Sequence, residues 1–327
     1  MCAGALGISS REAVNPPRFQ CEGEALSIIE QAAKRLEELR RSGIDVASPW
    51  KATWEGPPSV DSLPPQPVPG MPATSGAQHI AGLTGSRVVE LDLAKLEANG
   101  FISPFGERTR LADEFRAVKR PLLANVRGDS AAPIQRANCI MITSSTPGEG
   151  KTFTAINLAL SMAMEVGSYV LLVDADVVRP MVLNRLGVPT EKGLLEKLQQ
   201  PQLPLGDLIL RTNIENLSIL PAGEPSPRAT ELLGSEAMRR FVEDLAAPHS
   251  DQIVIFDAPP LLATPETRVL ASHVGQIVVV VEAHKTRWRT LTEALALLEG
   301  CPVVMTMLNK TTASAGPSYG YGYGASA

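Results

Sequence analysis

Two consecutive runs decide the fold of this chain: Cys139-Ile140-Met141-Ile142-Thr143, and then Ser145-Thr146-Pro147-Gly148-Glu149-Gly150-Lys151-Thr152. The first is a short apolar run that predicts a buried strand, and a helix is predicted to follow over residues 151–165. A glycine-rich loop between a strand and a helix is the context of a phosphate-binding P-loop, because its backbone N–H groups and the helix N-terminus both attract anions. The sequence therefore predicts Mg-ATP binding, although the full pattern expects glycine where Ser145 stands.

The residue types of this loop match separate tasks in nucleotide binding. We expect the Lys151 ammonium to contact the β and γ phosphates and the Thr152 hydroxyl to ligate Mg²⁺. The glycines allow the backbone to turn its N–H groups toward the phosphates. The predicted ATP contacts are Pro147, Gly148, Glu149, Gly150, Lys151, Thr152 and Phe153.

Two further predicted strands end in carboxylates. Asp174 and Asp176 follow the strand over residues 169–173, and Asp257 follows the strand over residues 253–256 in the manner of a Walker B segment. Ligands of an open α/β sheet bind beyond the carboxyl ends of its strands, so these side chains should face the same crevice as the P-loop. One carboxylate of the pair would ligate Mg²⁺ and the other would accept a proton from an attacking hydroxyl, while Asp257 would hold Mg²⁺ through water.

The rest of the core alternates between apolar strands and helices. Continuous apolar strands of this kind are typical of a parallel sheet that is covered on both faces. The predicted fold class is therefore α/β, a three-layer P-loop NTPase with a mainly parallel sheet. The other predicted strands span residues 217–220, 277–281 and 303–308, and the other helices span 235–246 and 290–298.

A charged helix is predicted just before this core, over residues 109–126, and Pro121 is expected to end or kink it. Asp113, Arg116 and Lys119 recur at three-residue steps and should therefore share one face. Such a face is usually solvated, and a contact between subunits is the alternative.

The N-terminal third differs from the core in composition. Residues 27–42 read as a short amphipathic helix that packs either on a partner or on the chain itself, and eight prolines between positions 49 and 72 predict a semi-rigid linker. The predicted parts are an N-terminal region (1–47), a proline-rich linker (48–85), a P-loop kinase domain (86–312) and a tail (313–327).

Bulk properties exclude several classes of function. The net charge of -5 leaves no basic footprint for nucleic acid, and the four scattered cysteines suggest neither disulfides nor a metal cradle. No run of about 18 apolar residues predicts a membrane span, and the first residues lack the features of a signal peptide. We expect a cytoplasmic protein that reaches a membrane only through a partner.

Three of the four tyrosines, Tyr319, Tyr321 and Tyr323, alternate with glycine near the end of the chain. A tail rich in glycine, serine and alanine cannot bury a core, so these phenols are expected to be accessible. An ATP site together with accessible phenols is what a kinase that phosphorylates its own tail requires.

The motifs quoted above resemble the bacterial tyrosine kinases with a MinD-like P-loop, over roughly residues 86–323. Residues 27–40, 113–123, 220–223 and 229–235 are similar to the exosortase-associated branch of these autokinases. The resemblance implies a kinase that regulates exopolysaccharide synthesis and export with the cytoplasmic segment of a membrane polysaccharide co-polymerase. It also implies a homo-oligomer, possibly a ring in which each tail enters the neighbouring active site, and a tyrosine phosphatase as a further partner.

The same resemblance suggests individual roles. Asp174 resembles the residue that activates the tyrosine hydroxyl, Asp176 a Mg²⁺ ligand and Lys151 the phosphate clamp. Asn309 is similar to an adenine-reading asparagine, and a C-cap asparagine is the equally good alternative. The face of Asp113, Arg116 and Lys119 falls where the family carries a Glu-Arg-Arg subunit contact, and Val178 stands where the family often places arginine.

Two other functions stay open at this point. A MinD-like ATPase switch without kinase activity would share the P-loop, but such switches usually carry a lysine where Thr146 stands, and the tyrosine tail also argues against it. A scaffold in which nucleotide only stabilises the fold is the third alternative.

Overall fold

The structure is a computed structural model that describes residues 87–104, 106, 109–129, 133–246 and 252–312. The predicted N-terminal helix, the proline-rich linker and the tyrosine tail lie outside these residues.

The described residues form one eight-stranded sheet in the order β1-β4-β5-β3-β6-β2-β7-β8. All neighbouring strands are parallel except β4 and β5, which pair antiparallel. The predicted mainly parallel sheet is thus confirmed. The strands are β1 (Arg87–Val89), β2 (Cys139–Ser144), β3 (Tyr169–Asp174), β4 (Leu210–Thr212), β5 (Leu217–Leu220), β6 (Gln252–Asp257), β7 (Gln276–Glu282) and β8 (Val304–Asn309).

Side chains that alternate along the central strands enter two separate cores, one on each face of the sheet. Met141 and Phe256 point into one core, and their neighbours Ile142 and Ile255 point into the other. This alternation follows from the pleat, which directs successive side chains to opposite faces. Because both faces are buried, the strands read as continuous apolar runs.

Helices complete the two outer layers. The first four contribute buried residues to the core that contains Ile142, and the last five contribute to the core that contains Phe256. Within the described residues, no helix is both long enough and apolar enough to cross a membrane. The helices are α1 (Leu93–Ala98), α2 (Arg110–Arg127), α3 (Lys151–Ala163), α4 (Val182–Leu186), α5 (Leu194–Gln199), α6 (Ala229–Leu233), α7 (Glu236–Ala246), α8 (Glu266–Ala271) and α9 (Trp288–Ala296).

Helix α2 agrees with the predicted span of the charged helix and shows that Pro121, expected to end or kink it, does not end it. The helix continues past Pro121 to Arg127 and stops at Gly128, whose left-handed backbone caps it. Proline removes one N–H donor, which leaves the carbonyl of Ala117 without its helical partner. Both residues are exposed, so that carbonyl can be hydrated by water.

Lys119 corrects the prediction of a shared solvated face on α2. Its side chain is buried, and its ammonium donates to the carbonyl oxygen of Ser161 at 2.6 Å and pairs with Glu165 at 2.7 Å. The hydrogen bond from Lys119 also lowers the pKa of Glu165. Lys119 therefore fastens α2 to the end of α3, whereas Asp113 and Arg116 form a half-exposed ion pair.

Candidate active site

The P-loop joins β2 to α3 and takes its shape from two glycines. Gly148 and Gly150 have φ angles of 91° and 103°, which side chains rarely tolerate. A Cβ atom on Gly150 would lie 2.0 Å from the Asn309 amide nitrogen, so a substitution there would also clash. Ser145 is not among the residues with positive φ, and serine is therefore compatible with the loop at the position where the full motif carries glycine.

Lys151 lies at the centre of an acidic cluster. Its ammonium is 2.5 Å from a carboxylate oxygen of Asp176 and 3.9 Å from one of Asp257. Burial lowers the pKa of Lys151, but the attraction of Asp257 and Asp176 outweighs burial and the pKa is raised. Lys151 is therefore held in the charged form that phosphate binding requires.

Asp257 is fully buried at the end of β6, and neither of its carboxylate oxygens has a hydrogen-bond partner in the described structure. Burial raises the pKa of Asp257 to about 6, while Lys151 and the Thr152 hydroxyl limit the rise. A buried carboxylate that makes no hydrogen bond is costly unless a cation or a bound water compensates it, and the Lys151 ammonium at 3.9 Å does so only in part. The Asp257 carboxylate beside the Thr152 hydroxyl therefore fits the environment of a Mg²⁺ ion.

Asp174 lies at the end of β3, opposite Asp257 on the neighbouring strand, and is held by backbone groups. One carboxylate oxygen accepts from the backbone N–H of Val182 at 3.0 Å, and the other accepts from the N–H of Asp176 at 3.2 Å. Burial, followed by repulsion from Asp257, raises the pKa of Asp174 well above its usual range. A raised pKa suits a carboxylate that accepts a proton near neutral pH.

Two cavities meet at these carboxylates. The larger, of about 900 Å³, is lined by Asp176, whereas Asp174 lines a second cavity of about 270 Å³. The two carboxylates thus line different cavities, and the expectation that Asp174 shares the crevice of the P-loop stays a prediction. Asn184 lines both cavities. The predicted residues that line the larger cavity are Pro147, Gly148, Gly150, Lys151, Thr152, Phe153, Asp176 and Asn309.

Glu149 is buried and does not line the cavity, although the sequence placed it among the ATP contacts. One carboxylate oxygen accepts from the N–H of Thr146 at 2.6 Å, and the other accepts from the Thr286 hydroxyl. Glu149 therefore braces the P-loop through contacts that lie outside the cavity.

Three residues at or just after the ends of β7 and β8 complete this brace, and two of them, Thr286 and Lys310, were not predicted from the sequence. The Lys310 ammonium donates to the carbonyl of Gly148 at 2.7 Å and pairs with Glu282 at 3.2 Å. Asn309 donates to the carbonyl of Glu149 at 2.9 Å, so its amide rests on the loop. The one available signal was the position of Lys310 directly after the asparagine at the end of the last strand.

The residues present fit Mg-ATP. The P-loop and Lys151 can hold the phosphates, and Thr152, Asp176 and Asp257 offer oxygen donors of the kind that Mg²⁺ prefers. Within the described ranges, no three His, Cys, Asp or Glu side chains form a self-sufficient metal site. Phosphate oxygens and water would therefore have to complete the coordination, as is usual for Mg²⁺ in phosphoryl-transfer sites.

Comparisons with known proteins agree with this geometry. Residues 137–300, half of the chain, match the family model described as an AAA domain. Tyrosine-protein kinase YwqD of Bacillus subtilis (strain 168) is 33% identical over 184 residues, which cover 56% of this chain and 76% of that protein. The putative tyrosine-protein kinase CapB of Staphylococcus aureus is 29% identical over 219 residues, which cover 66% and 92%.

Solved structures show the same architecture. The crystal structure of the VpsO kinase domain is 30% identical with a TM-score of 0.53, and the match covers 62% of this chain and 95% of that one. The kinase domain of Escherichia coli tyrosine kinase ETK is 25% identical with a TM-score of 0.52, and the match covers 64% and 80%.

The mainly parallel sheet and the loop between β2 and α3 define a P-loop NTPase domain. The relatives and solved structures that this chain matches identify the particular family within that class. The chain belongs to the bacterial tyrosine-protein kinases.

Proposed function

We propose that this protein transfers the γ-phosphoryl group of Mg-ATP to tyrosines of its own C-terminal tail, Tyr319, Tyr321 and Tyr323. The observation that carries the proposal is the separation of two carboxylates at the end of β3. Asp176 pairs with Lys151 in the cavity of the P-loop, and Asp174 faces the second cavity with its pKa raised. A donor side and an acceptor side therefore meet at two carboxylates one residue apart at the end of one strand.

In the proposed reaction a tyrosine hydroxyl approaches Asp174 from the side of the second cavity. The hydroxyl proton passes to the Asp174 carboxylate, the phenolate oxygen bonds to the γ-phosphorus, and the bond between that phosphorus and the β–γ bridging oxygen breaks to release ADP. Lys151 holds the phosphates during transfer and stabilises the charge that develops on them. Mg²⁺, held by Thr152, Asp176 and Asp257, would neutralise phosphate charge.

The wider setting is proposed from the family resemblance. We infer that the protein regulates exopolysaccharide synthesis and export together with the cytoplasmic segment of a membrane co-polymerase, which would bring it to the inner membrane. A tyrosine phosphatase would reset the tail. Asp113 and Arg116 remain candidates for a contact within a homo-oligomer, whereas the buried Lys119 is engaged inside its own chain.

Substitution of Lys151 by methionine tests the kinase assignment, since it removes the charge that clamps the phosphates. Purified wild-type and Lys151→Met chains are incubated with Mg-ATP, and the tail peptide is analysed by mass spectrometry. We expect up to three phosphates on wild type and none on the variant. Phosphotyrosine that persists in the variant would refute the assignment.

A variant that lacks the acceptors separates this function from that of an ATPase switch. Changing all three tail tyrosines to phenylalanine should abolish phosphotyrosine and leave ATP binding intact. ATP hydrolysis that proceeds at the same rate in this variant, with no phosphotyrosine on wild type, would favour the switch.

A further inference from the structure

Two arginines line the larger cavity without a task in the proposed transfer. Arg179 and Arg185 are exposed, and neither guanidinium has a hydrogen-bond or ion-pair partner among the described residues. The other cations of the cavity are engaged, Lys151 with Asp176 and Lys310 with Glu282. Since Asp176 is the only acidic residue among those that line the described cavity, two positive charges remain uncompensated.

The segment that carries these arginines is attached to the catalytic carboxylates. The backbone N–H of Arg179 donates to Asp176 at 3.1 Å, and the N–H of Val182 donates to Asp174 at 3.0 Å. Arg185 follows Val182 by three residues, which is about one turn of α4. An anion bound by these guanidiniums would therefore lie at a defined position relative to Asp174.

The two arginines reach the larger cavity from a different strand end than the P-loop does. The P-loop follows β2 and the arginines follow β3, and β6 lies between these strands. With neighbouring strands about 4.8 Å apart, the two strand ends are separated by roughly 10 Å. The P-loop already supplies N–H groups and Lys151 to a triphosphate, so the arginines are placed for a second anion.

We propose that Arg179 and Arg185 form a phosphotyrosine-binding site for the tail, which retains one phosphorylated tyrosine while the next is presented to Asp174. The inference rests on the proposed function. Guanidinium groups bind phosphate oxygens bidentately, and a phosphotyrosine brings a charge of about -1.5 to -2. Residues 313–327 contain no Asp or Glu, so their side chains become negatively charged through phosphorylation.

The spacing of the tyrosines supports this arrangement. Tyr319, Tyr321 and Tyr323 occupy every second position, with one glycine between successive tyrosines. In an extended chain such residues point to the same side and lie about 7 Å apart. A phosphate held at the arginines would thus keep the neighbouring phenol about 7 Å away from it, near the transfer site. Later phosphorylations would therefore be faster than the first.

The proposal is tested by the ratio of triply to singly phosphorylated chains. Full-length wild type, an Arg179→Gln/Arg185→Gln variant and an Arg211→Gln control are phosphatase-treated, incubated with Mg-ATP and sampled over time by intact-mass spectrometry. Arg211 is an exposed arginine of β4 that does not line the cavity. We expect the ratio of triply to singly phosphorylated chains to fall at least fivefold in the double variant and to stay at the wild-type value in the control.

An equal loss of singly and triply phosphorylated chains would overturn the proposal, because it would place the arginines at the ATP phosphates. An unchanged ratio would overturn it as well. If wild type acquires no phosphate at all, the proposed function fails, and the arginine site is then judged by binding alone.

Binding is measured by fluorescence anisotropy with two labelled peptides of residues 313–327, one carrying phosphate on Tyr321 and one unmodified. The protein is the full chain with Lys151→Met, which prevents turnover. We expect the phosphopeptide to bind at least tenfold more tightly, and the preference to fall below threefold when Arg179→Gln/Arg185→Gln is added but not when Arg211→Gln is added. Equal affinity for both peptides, or a preference that survives the double substitution, would refute the site.

Discussion

The two sides of the active site are held in different ways. On the side of β7 and β8, side chains brace the P-loop: Glu149 with Thr286, Asn309 with the carbonyl of Glu149, and Lys310 with the carbonyl of Gly148. On the side of β3, backbone N–H groups hold Asp174 and Asp176, Asp176 also pairs with Lys151 of the P-loop, and the arginines of the same segment have no partner in the described structure. The contrast indicates a rigid site for the nucleotide beside a site whose side chains are free to meet a moving acceptor.

The largest expected effect lies on the acceptor side. Asp174→Asn keeps the shape of the side chain but removes the proton acceptor, so the rate of tail phosphorylation should fall by about 10²–10⁴-fold. The affinity for ATP should change less than threefold, because Asp174 does not line the nucleotide cavity. Quench-flow phosphorylation assays and nucleotide titrations measure the two quantities. A large loss of ATP affinity would show that the two sides are not separate.

Gly150→Ala should distort the P-loop and its contacts with Asn309. The new Cβ would adopt an unfavourable positive φ and would meet the Asn309 amide, so both the loop and its brace must shift. We expect ATP affinity to fall by at least about tenfold, which corresponds to about 1.4 kcal/mol. Calorimetric titration with a non-hydrolysable ATP analogue measures it. Gly128→Ala, at a left-handed helix cap far along the chain from the loop, serves as the control for strain alone. Equal affinity losses in both variants would argue against a specific role of the brace.

Thr286→Val removes the contact of Thr286 with Glu149 and also the acceptor of the Glu282 N–H. The substitution is nearly isosteric and leaves the buried Glu149 carboxylate without one of its donors, which costs about 1–3 kcal/mol. The melting temperature should drop, and ATP affinity should fall about three- to tenfold. Differential scanning fluorimetry with and without nucleotide follows both. Thr292→Val, at an exposed hydroxyl on α9 that donates only to the backbone of its own helix, is the matched control.

Lys310→Met should have the smallest effect. Lys310 is half-exposed, and exposed ion pairs contribute about 0–1 kcal/mol, so ATP affinity should fall by less than about fivefold. The loss should shrink further in 0.5 M salt, which screens such pairs. A loss as large as that of Gly150→Ala would mean that Lys310 contacts the nucleotide directly.

Sequence patterns predicted the central part of the sheet because its strands are buried on both faces. The run from Leu217 to Leu220 was predicted at its observed bounds, and β2 differs by one residue. Strands β1 and β4 were missed because each has three residues, too few for an apolar pattern to be recognised. The antiparallel pairing of β4 with β5 followed from no local signal.

The site was predicted less completely, for reasons of long-range contact. The P-loop motif is local, but whether Asp174 faces the nucleotide depends on a hydrogen bond from Val182, eight residues away. The burial of Lys119 depends on Glu165, which lies 46 positions later in the chain and comes close only when α2 packs on α3. Helical periodicity alone could not distinguish a buried ammonium from a solvated one.

The order of the strands also fixes where the chain enters and leaves this domain. β1 and β8 form opposite edges of the sheet, and seven strand intervals of about 4.8 Å separate them by roughly 34 Å. Residue 87 enters at one edge, and residue 312 departs just beyond the other. Fluorophores attached near these two points would therefore be separated by a known distance within one subunit. Energy transfer that is more efficient than this distance allows would report contacts between subunits.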